Sequence, residues 1–223
     1  MSNRILQSIE LGGGHTRSIA LDRDLHDESA VKNYLLTPAA MGAMKQIGQG
    51  LADKHAQRAW KIVGPYGSGK SALGVMLAQL LSGRASHPAA SLAITKTAPQ
   101  LVPLFKTANR FPLAIVGSRV SIGAALAHAI GEVLGRLGKG KAVSALKKQL
   151  DTEALTYKGM PVNSVAGSLA ADFAQAMVAE GFDGALLLID EVGKFVEHAA
   201  LHPETGDLIA LQTHVMRRAL GMA

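Results

Sequence analysis

Cysteine is absent from all 223 residues. That excludes disulfides and thiolate metal centres, and it suits a reducing compartment. Aromatic residues are scarce, at 4%. No apolar run approaches the ~20 residues a membrane helix needs; the longest purely aliphatic stretch is Ala185 to Ile189. Met1-Ser2-Asn3-Arg4 leads into no apolar segment of signal-peptide type. The expectation is a soluble cytoplasmic protein without membrane contact. Acids are missing from one long block: between 61 and 150, Glu132 stands alone against twelve Lys and Arg. The net charge of +6 therefore divides into +1 for 1–60, +11 for 61–150 and −6 for 151–223. A basic block of that size invites a polyanion, either a nucleotide or a nucleic acid.

What is present is a glycine-rich phosphate loop. Gly64-Pro65-Tyr66-Gly67-Ser68-Gly69-Lys70-Ser71 fits G-x-x-x-x-G-K-[ST] at every position. The residues before it, Ala59 to Val63, read as a short strand, and Ser71 to Leu81 reads as a helix. In that setting the glycines turn successive backbone N–H groups toward one anion, and the new helix adds its positive end. Lys70 is placed to reach β- and γ-phosphates, and the Ser71 hydroxyl to hold Mg²⁺.

A second pattern lies downstream. Leu186-Leu187-Leu188-Ile189 is followed by Asp190-Glu191, a buried strand ending in two acids. Ligands of open α/β sheets bind at the C-terminal ends of the strands, which puts Asp190 beside the loop. Asp190 would hold Mg²⁺ through water, and Glu191 would polarise the water that attacks the γ-phosphate. No N-K-x-D base-reading pattern of the GTPase type occurs.

Between and around these motifs the chain alternates between the two element types. Ile5 to Ile9 reads as a strand, with a flexible break at Gly12-Gly13-Gly14, and a short helix is expected from Glu28 to Leu36. Thr37-Pro38 opens a helix with Met41, Met44, Ile47 and Leu51 on one face. Tyr34, or the segment up to Pro38, either touches the base or packs into the core. Ser91 to Thr95 reads as a strand and Leu113 to Val116 as a stronger one, apolar on both faces. Ser121 caps a helix running to Leu137, and another helix spans Ala142 to Leu150. Residues 151–161 read as a loop. A long helix ends before Gly181, a further helix covers Val192 to Leu201, and a last one covers Asp207 to Leu220.

The combination of loop, intervening strand and Asp-Glu pair resembles the ASCE division of P-loop ATPases, and within it the AAA+ and STAND types. Gly64 to Ala72, together with Ile189-Asp190-Glu191-Val192-Gly193-Lys194-Phe195-Val196-Glu197 and Leu211-Gln212, resembles the ATPase core of large bacterial ATP-binding proteins of anti-phage defence, the BREX type among them. The resemblance implies an α/β P-loop NTPase three-layer sandwich with a mainly parallel sheet. It also implies ATP and Mg²⁺ as ligands and conformational work on DNA or partner proteins within a larger or self-assembled complex. Residues 1–36 would form an N-terminal segment and 37–223 the ATPase core. That core is expected to be incomplete at its C-terminal side, because only 32 residues follow Glu191. The alternatives are a non-hydrolysing ATP-gated switch and a nucleic-acid-binding module.

The remaining candidates are weaker. Lys139, Lys141, Lys147 and Lys148 suit DNA phosphates, but no aromatic is interleaved to stack on bases. Arg119 can contact nucleotide, DNA or a neighbour, or pair with Asp190 or Glu191. Arg217 and Arg218 read as solvated surface sooner than as a finger acting on a neighbour. His198 and His202 have i,i+4 spacing but lack H-E-x-x-H, so a surface pair is expected. Lys194 reads as an exposed helix residue.

Overall fold

The computed structural model describes residues 18–53, 58–83, 86–138 and 140–203. It is mixed α/β, with a two-stranded parallel sheet as its centre. The strands are β1, Phe111–Val116, and β5, Ala185–Asp190. They pair in register from Phe111 opposite Ala185 to Val116 opposite Asp190. Parallel neighbours need a long crossover, and here it contains α7 (Ile122–Arg136), α8 (Lys141–Gln149) and α9 (Val162–Ala179).

Both strands are apolar on both faces, and alternation sends neighbours into two different clusters. Leu113, Ile115, Leu187 and Ile189 join α7, α8 and α9 in one cluster, with Phe173 and Phe195 wholly buried. Ala114, Val116, Leu186 and Leu188 pack instead against the second cluster. That cluster gathers α1 (Leu21–Asp24), α2 (Ser29–Lys32), α3 (Pro38–Ala52), α4 (Lys70–Leu81), α5 (Pro88–Thr97) and α6 (Val102–Phe105). Gln79 on α4 is fully buried and ties this side together, donating to the Asp27 carbonyl at 3.0 Å.

Local chemistry sets the helix starts. Thr37 accepts from Ala40 N at 3.2 Å, with Pro38 in the first turn. Ser121 accepts from Ala124 N at 3.1 Å at the start of α7. A last helix, α10, covers Val192–Leu201.

Three expectations are corrected. Ser91 to Thr95 is helical, within α5. Pro88 presets its first turn, and the β-branched Thr95 and Thr97 are accommodated by bonding back to the Ser91 and Ala93 carbonyls at 2.7 Å. The expected loop at 151–161 belongs to a small antiparallel sheet of two-residue strands: β2 (Leu150–Asp151), β3 (Thr156–Tyr157) and β4 (Met160–Pro161). No strand is assigned over 59–63, where Ile62 and Val63 are 40% and 77% exposed. A strand requires a ladder partner, and no sheet pairing reaches this segment among the described residues.

The expected strand at Ile5 to Ile9, the break at Gly12-Gly13-Gly14 and the helix at Asp207 to Leu220 lie outside the described residues. So do Lys139, Leu211, Gln212, Arg217 and Arg218. Among the described residues, no helix is long and apolar enough to cross a membrane.

Candidate functional site

The site forms where the C-terminal ends of β1 and β5 meet the start of α4. The loop ahead of α4 turns through two left-handed glycines, Gly67 at φ 76° and Gly69 at φ 81°. A side chain is disfavoured at such angles, which accounts for glycine at both. Ser68 N donates to Pro65 O at 3.3 Å to close the turn. Gly69 is the helix N-cap and supplies no side-chain acceptor. The first amides of α4 therefore lack a side-chain cap, and the helix dipole adds partial positive charge there. Lys70 folds back over the loop, its Nζ donating to Gly64 O at 3.0 Å and to Pro65 O at 2.8 Å. Carbonyls are neutral partners that an anion can replace.

Ser71 faces the sheet. Its hydroxyl donates to Asp190 Oδ2 at 2.6 Å, and the second carboxylate oxygen, Oδ1, accepts from Glu191 N at 2.9 Å. Asp190 is fixed from the β1 side as well, because Gly117 N donates to its carbonyl at 2.9 Å. The structure thus brings Gly64 to Ala72 and Asp190 into one cluster. Among the described residues, no group of three or more His, Asp or Glu could hold a metal. Mg²⁺ in a nucleotide site does not need one: it uses one or two protein oxygens, with phosphates and waters completing the octahedron. A hydroxyl and a carboxylate side by side fit that requirement.

Glu191 caps α10 from a left-handed backbone, φ 51° and ψ 41°. That conformation is uncommon for a non-glycine residue and concentrates at functional sites. β1 approaches Glu191 closely, which accounts for glycine at 117: a Cβ there would collide with the Glu191 carbonyl oxygen and lie 2.9 Å from its carbon. The Glu191 carboxylate is ion-paired with Lys194, one turn into α10.

A cleft of about 980 Å³ adjoins the loop, at the upper end of small-molecule sites. Its walls come from α2, α3 and the segment entering the loop, and include Asn33, Tyr34, Gln46, Trp60 and Lys70. Tyr34 packs against the apolar cluster, as one of its two readings expected, and also lines the cleft; burial pushes its phenol pKa up. Asn33, Gln46 and Trp60 were not foreseen. The available signal was Trp60, the chain's one tryptophan, four residues before the loop.

Within the loop segment, Tyr66 is fully exposed at the tip and Ala72 is buried in α4. The remaining candidates lie apart from this cluster. Arg119 is exposed after β1 and forms no ion pair with Asp190 or Glu191 among the described residues. Lys141, Lys147 and Lys148 are exposed on α8, whose Val143 and Leu146 enter the cluster on the opposite sheet face from α4. His198 and His202 lie side by side with ring centres 4.6 Å apart and ring planes tilted by 37°.

No known family, curated protein or solved structure matches the chain.

Proposed function

We propose that the chain binds Mg-ATP and hydrolyses it, using the loop at Gly64 to Ala72 and the acids closing β5. The observation carrying this reading is the 2.6 Å contact between Ser71 and Asp190. It joins a phosphate-type loop to the strand-end acid that such a site requires. The fold that goes with this reading is the P-loop NTPase sandwich, supported by the parallel β1–β5 pair with an apolar cluster on each face.

In this reading the amides at 67–71 and the Lys70 ammonium take the β- and γ-phosphate oxygens, Lys70 leaving its two carbonyls to do so. Ser71 and Asp190 hold Mg²⁺, which neutralises phosphate charge when bound. The base and ribose enter the cleft, where Trp60 and Tyr34 offer aromatic faces and Asn33 and Gln46 offer amides. Glu191 orients the attacking water and accepts its proton. Through the resemblance carried by Gly64 to Ala72 and Ile189 to Glu197, the work performed belongs to a larger DNA-linked assembly of the anti-phage defence type. The exposed Lys141, Lys147 and Lys148 supply a non-specific phosphate contact.

Trp60 provides the test. As the sole tryptophan lining the cleft, its emission should change on addition of Mg-ATP, giving an affinity. Lys70→Ala should abolish that change, and a Lys70→Ala protein that binds as tightly as the parent would refute the reading. Glu191→Gln separates turnover from switching: trapped ATP with no phosphate release, against release in the parent, identifies an ATPase. ATP binding with no phosphate release from either protein identifies a non-hydrolysing switch, and equal release from both removes Glu191 from the chemistry.

A further inference from the structure

Resting on the Mg-ATP reading above, we infer that Lys194 is a positioning residue that restrains Glu191 and limits basal hydrolysis. The argument starts from what each acid touches. Asp190 has both oxygens engaged at the site, by Ser71 Oγ and Glu191 N. The Glu191 carboxylate, one residue on, makes no polar contact with Gly64 to Ala72 among the described residues; its ion pair is with Lys194.

The spacing is i,i+3 from the N-cap into the first turn of α10. A carboxylate held there lies back along its own helix. While it accepts from an ammonium, that lone pair is not available to a water. The backbone cannot compensate by rotating freely, because the left-handed Glu191 is seated against Gly117 and Lys194 N already donates to Glu191 O at 2.9 Å. What can move is the Glu191 side chain, and Lys194 decides where it rests.

The pair is open to solvent, with side-chain exposures of 51% for Lys194 and 47% for Glu191. Exposed pairs bias their partners by small factors, about two- to fivefold, and are screened by salt. The restraint is therefore a light gate that an anion at Lys194 can lift. Lys194 contacts neither the loop nor Ser71 and Asp190, so it acts on the chemistry only through Glu191.

The experiment uses the full chain as parent, K194M and K194R, with turnover measured at saturating Mg-ATP. K194M should raise kcat about two- to fivefold, with KM unchanged, and K194R should stay at the parent value. Parent kcat should climb toward that of K194M as KCl is raised from ~20 to ~200 mM, while K194M stays flat. A second readout needs no nucleotide. The Glu191 carboxyl-carbon resonance should shift in K194M, coincide in K194R and parent, and move in the parent with added salt. An unchanged or lower kcat in K194M, or a K194R protein that behaves like K194M, overturns the inference. If Trp60 emission reports ATP binding but no variant turns over, the restraint is refuted while nucleotide binding stands. If the parent shows no Trp60 response, the nucleotide reading fails and the gate fails with it.

Discussion

The Ser71 hydroxyl donates to Asp190 Oδ2 at 2.6 Å across 119 positions of sequence. The first turn of α4 and the last residue of β5 are thereby held in one register. In the Mg-ATP reading proposed above, Ser71 Oγ would offer a lone pair to the ion while its proton stays on the carboxylate, and the remaining Asp190 lone pairs would accept from a metal-bound water.

Ser71→Ala and Asp190→Asn should therefore affect the metal more than the nucleotide. Groups that orient a metal's ligands are worth about 10- to 100-fold in metal affinity. The Mg²⁺ concentration giving half-maximal Trp60 response at fixed ATP should rise by about that factor in both variants. Binding of ATP in the presence of chelator should change little. A variant with the parent's Mg²⁺ midpoint would remove the pair from the metal site.

Gly117 tests the seat of Glu191. A methyl there collides with the Glu191 backbone, which is not a flexible side-chain end that can swing aside. Overpacking of this kind costs about 1–3 kcal/mol, so Gly117→Ala should lower the melting temperature by roughly 2–10 °C for a chain of this size. Gly135→Ala in α7 meets nothing within 4 Å and should be neutral or stabilising by about 0.5–1 kcal/mol. Equal melting temperatures for the two variants would show that the seat is not tight.

The elements around the loop were legible because their signals are local. Gly67, Gly69 and Lys70 declare the turn and its cation, and the aliphatic run ending in Asp190 declares a strand covered on both faces. The crossing that brings Ser71 to Asp190 followed from the general placement of ligands at strand ends. Misreadings arose where a distant partner or a back-bond decides. Ile62 and Val63 look like a strand but have no ladder neighbour among the described residues. Thr95 and Thr97 look β-forming but return their hydroxyls to the helix. The role of Lys194 was out of reach for a different reason. Its spacing from Glu191 is visible in sequence, but whether an exposed lysine touches a cap residue depends on side-chain geometry.

The first residue of α5 has a pH-dependent neighbour. His87 is 8% exposed, stacks with His26 at 6.2 Å between ring centres, and leaves Nδ1 without a partner. Burial lowers its pKa first and the His26 charge adds to this, while Glu28 opposes them. Burial and then Arg136 lower that of His26. A histidine whose folded value lies below its unfolded value prefers to stay neutral in the folded chain. Its contribution is complete above the ordinary value near 6.5, and it falls away as pH drops through that value toward the folded one. Thermal stability should decline between about pH 7 and 5.5. His87→Asn removes one titration and offers an N-cap ahead of Pro88, so its profile should be flatter over that interval. An identical slope in parent and variant would place the loss elsewhere.

The same sign applies, over a more acidic interval, at the small sheet. Asp172 on α9 accepts from Lys158 Nζ at 2.7 Å and from Tyr157 OH at 2.6 Å. Those two bonds, Lys158 first, draw its pKa below the ordinary carboxyl value, against a smaller effect of burial. The contribution is thus present above about pH 4 and is lost as pH falls through the depressed folded value. With Asp172 39% and Lys158 44% exposed, solvent screens away most of what the ion pair is worth. The firmer part is the tyrosine, whose ring is 1% exposed in the apolar cluster. Tyr157→Phe keeps the packing and deletes only the hydroxyl, costing about 1 kcal/mol at neutral pH, or roughly 2–4 °C. Below pH 3 the protonated carboxyl can still hydrogen-bond the phenol, but without charge assistance, so the gap between parent and variant should narrow. Asp172→Asn should reproduce that narrowed gap at pH 7. A Tyr157→Phe deficit that is the same at pH 7 and at pH 3 would mean that the ring's fit, and not its bond to the charged carboxylate, anchors β3 to α9.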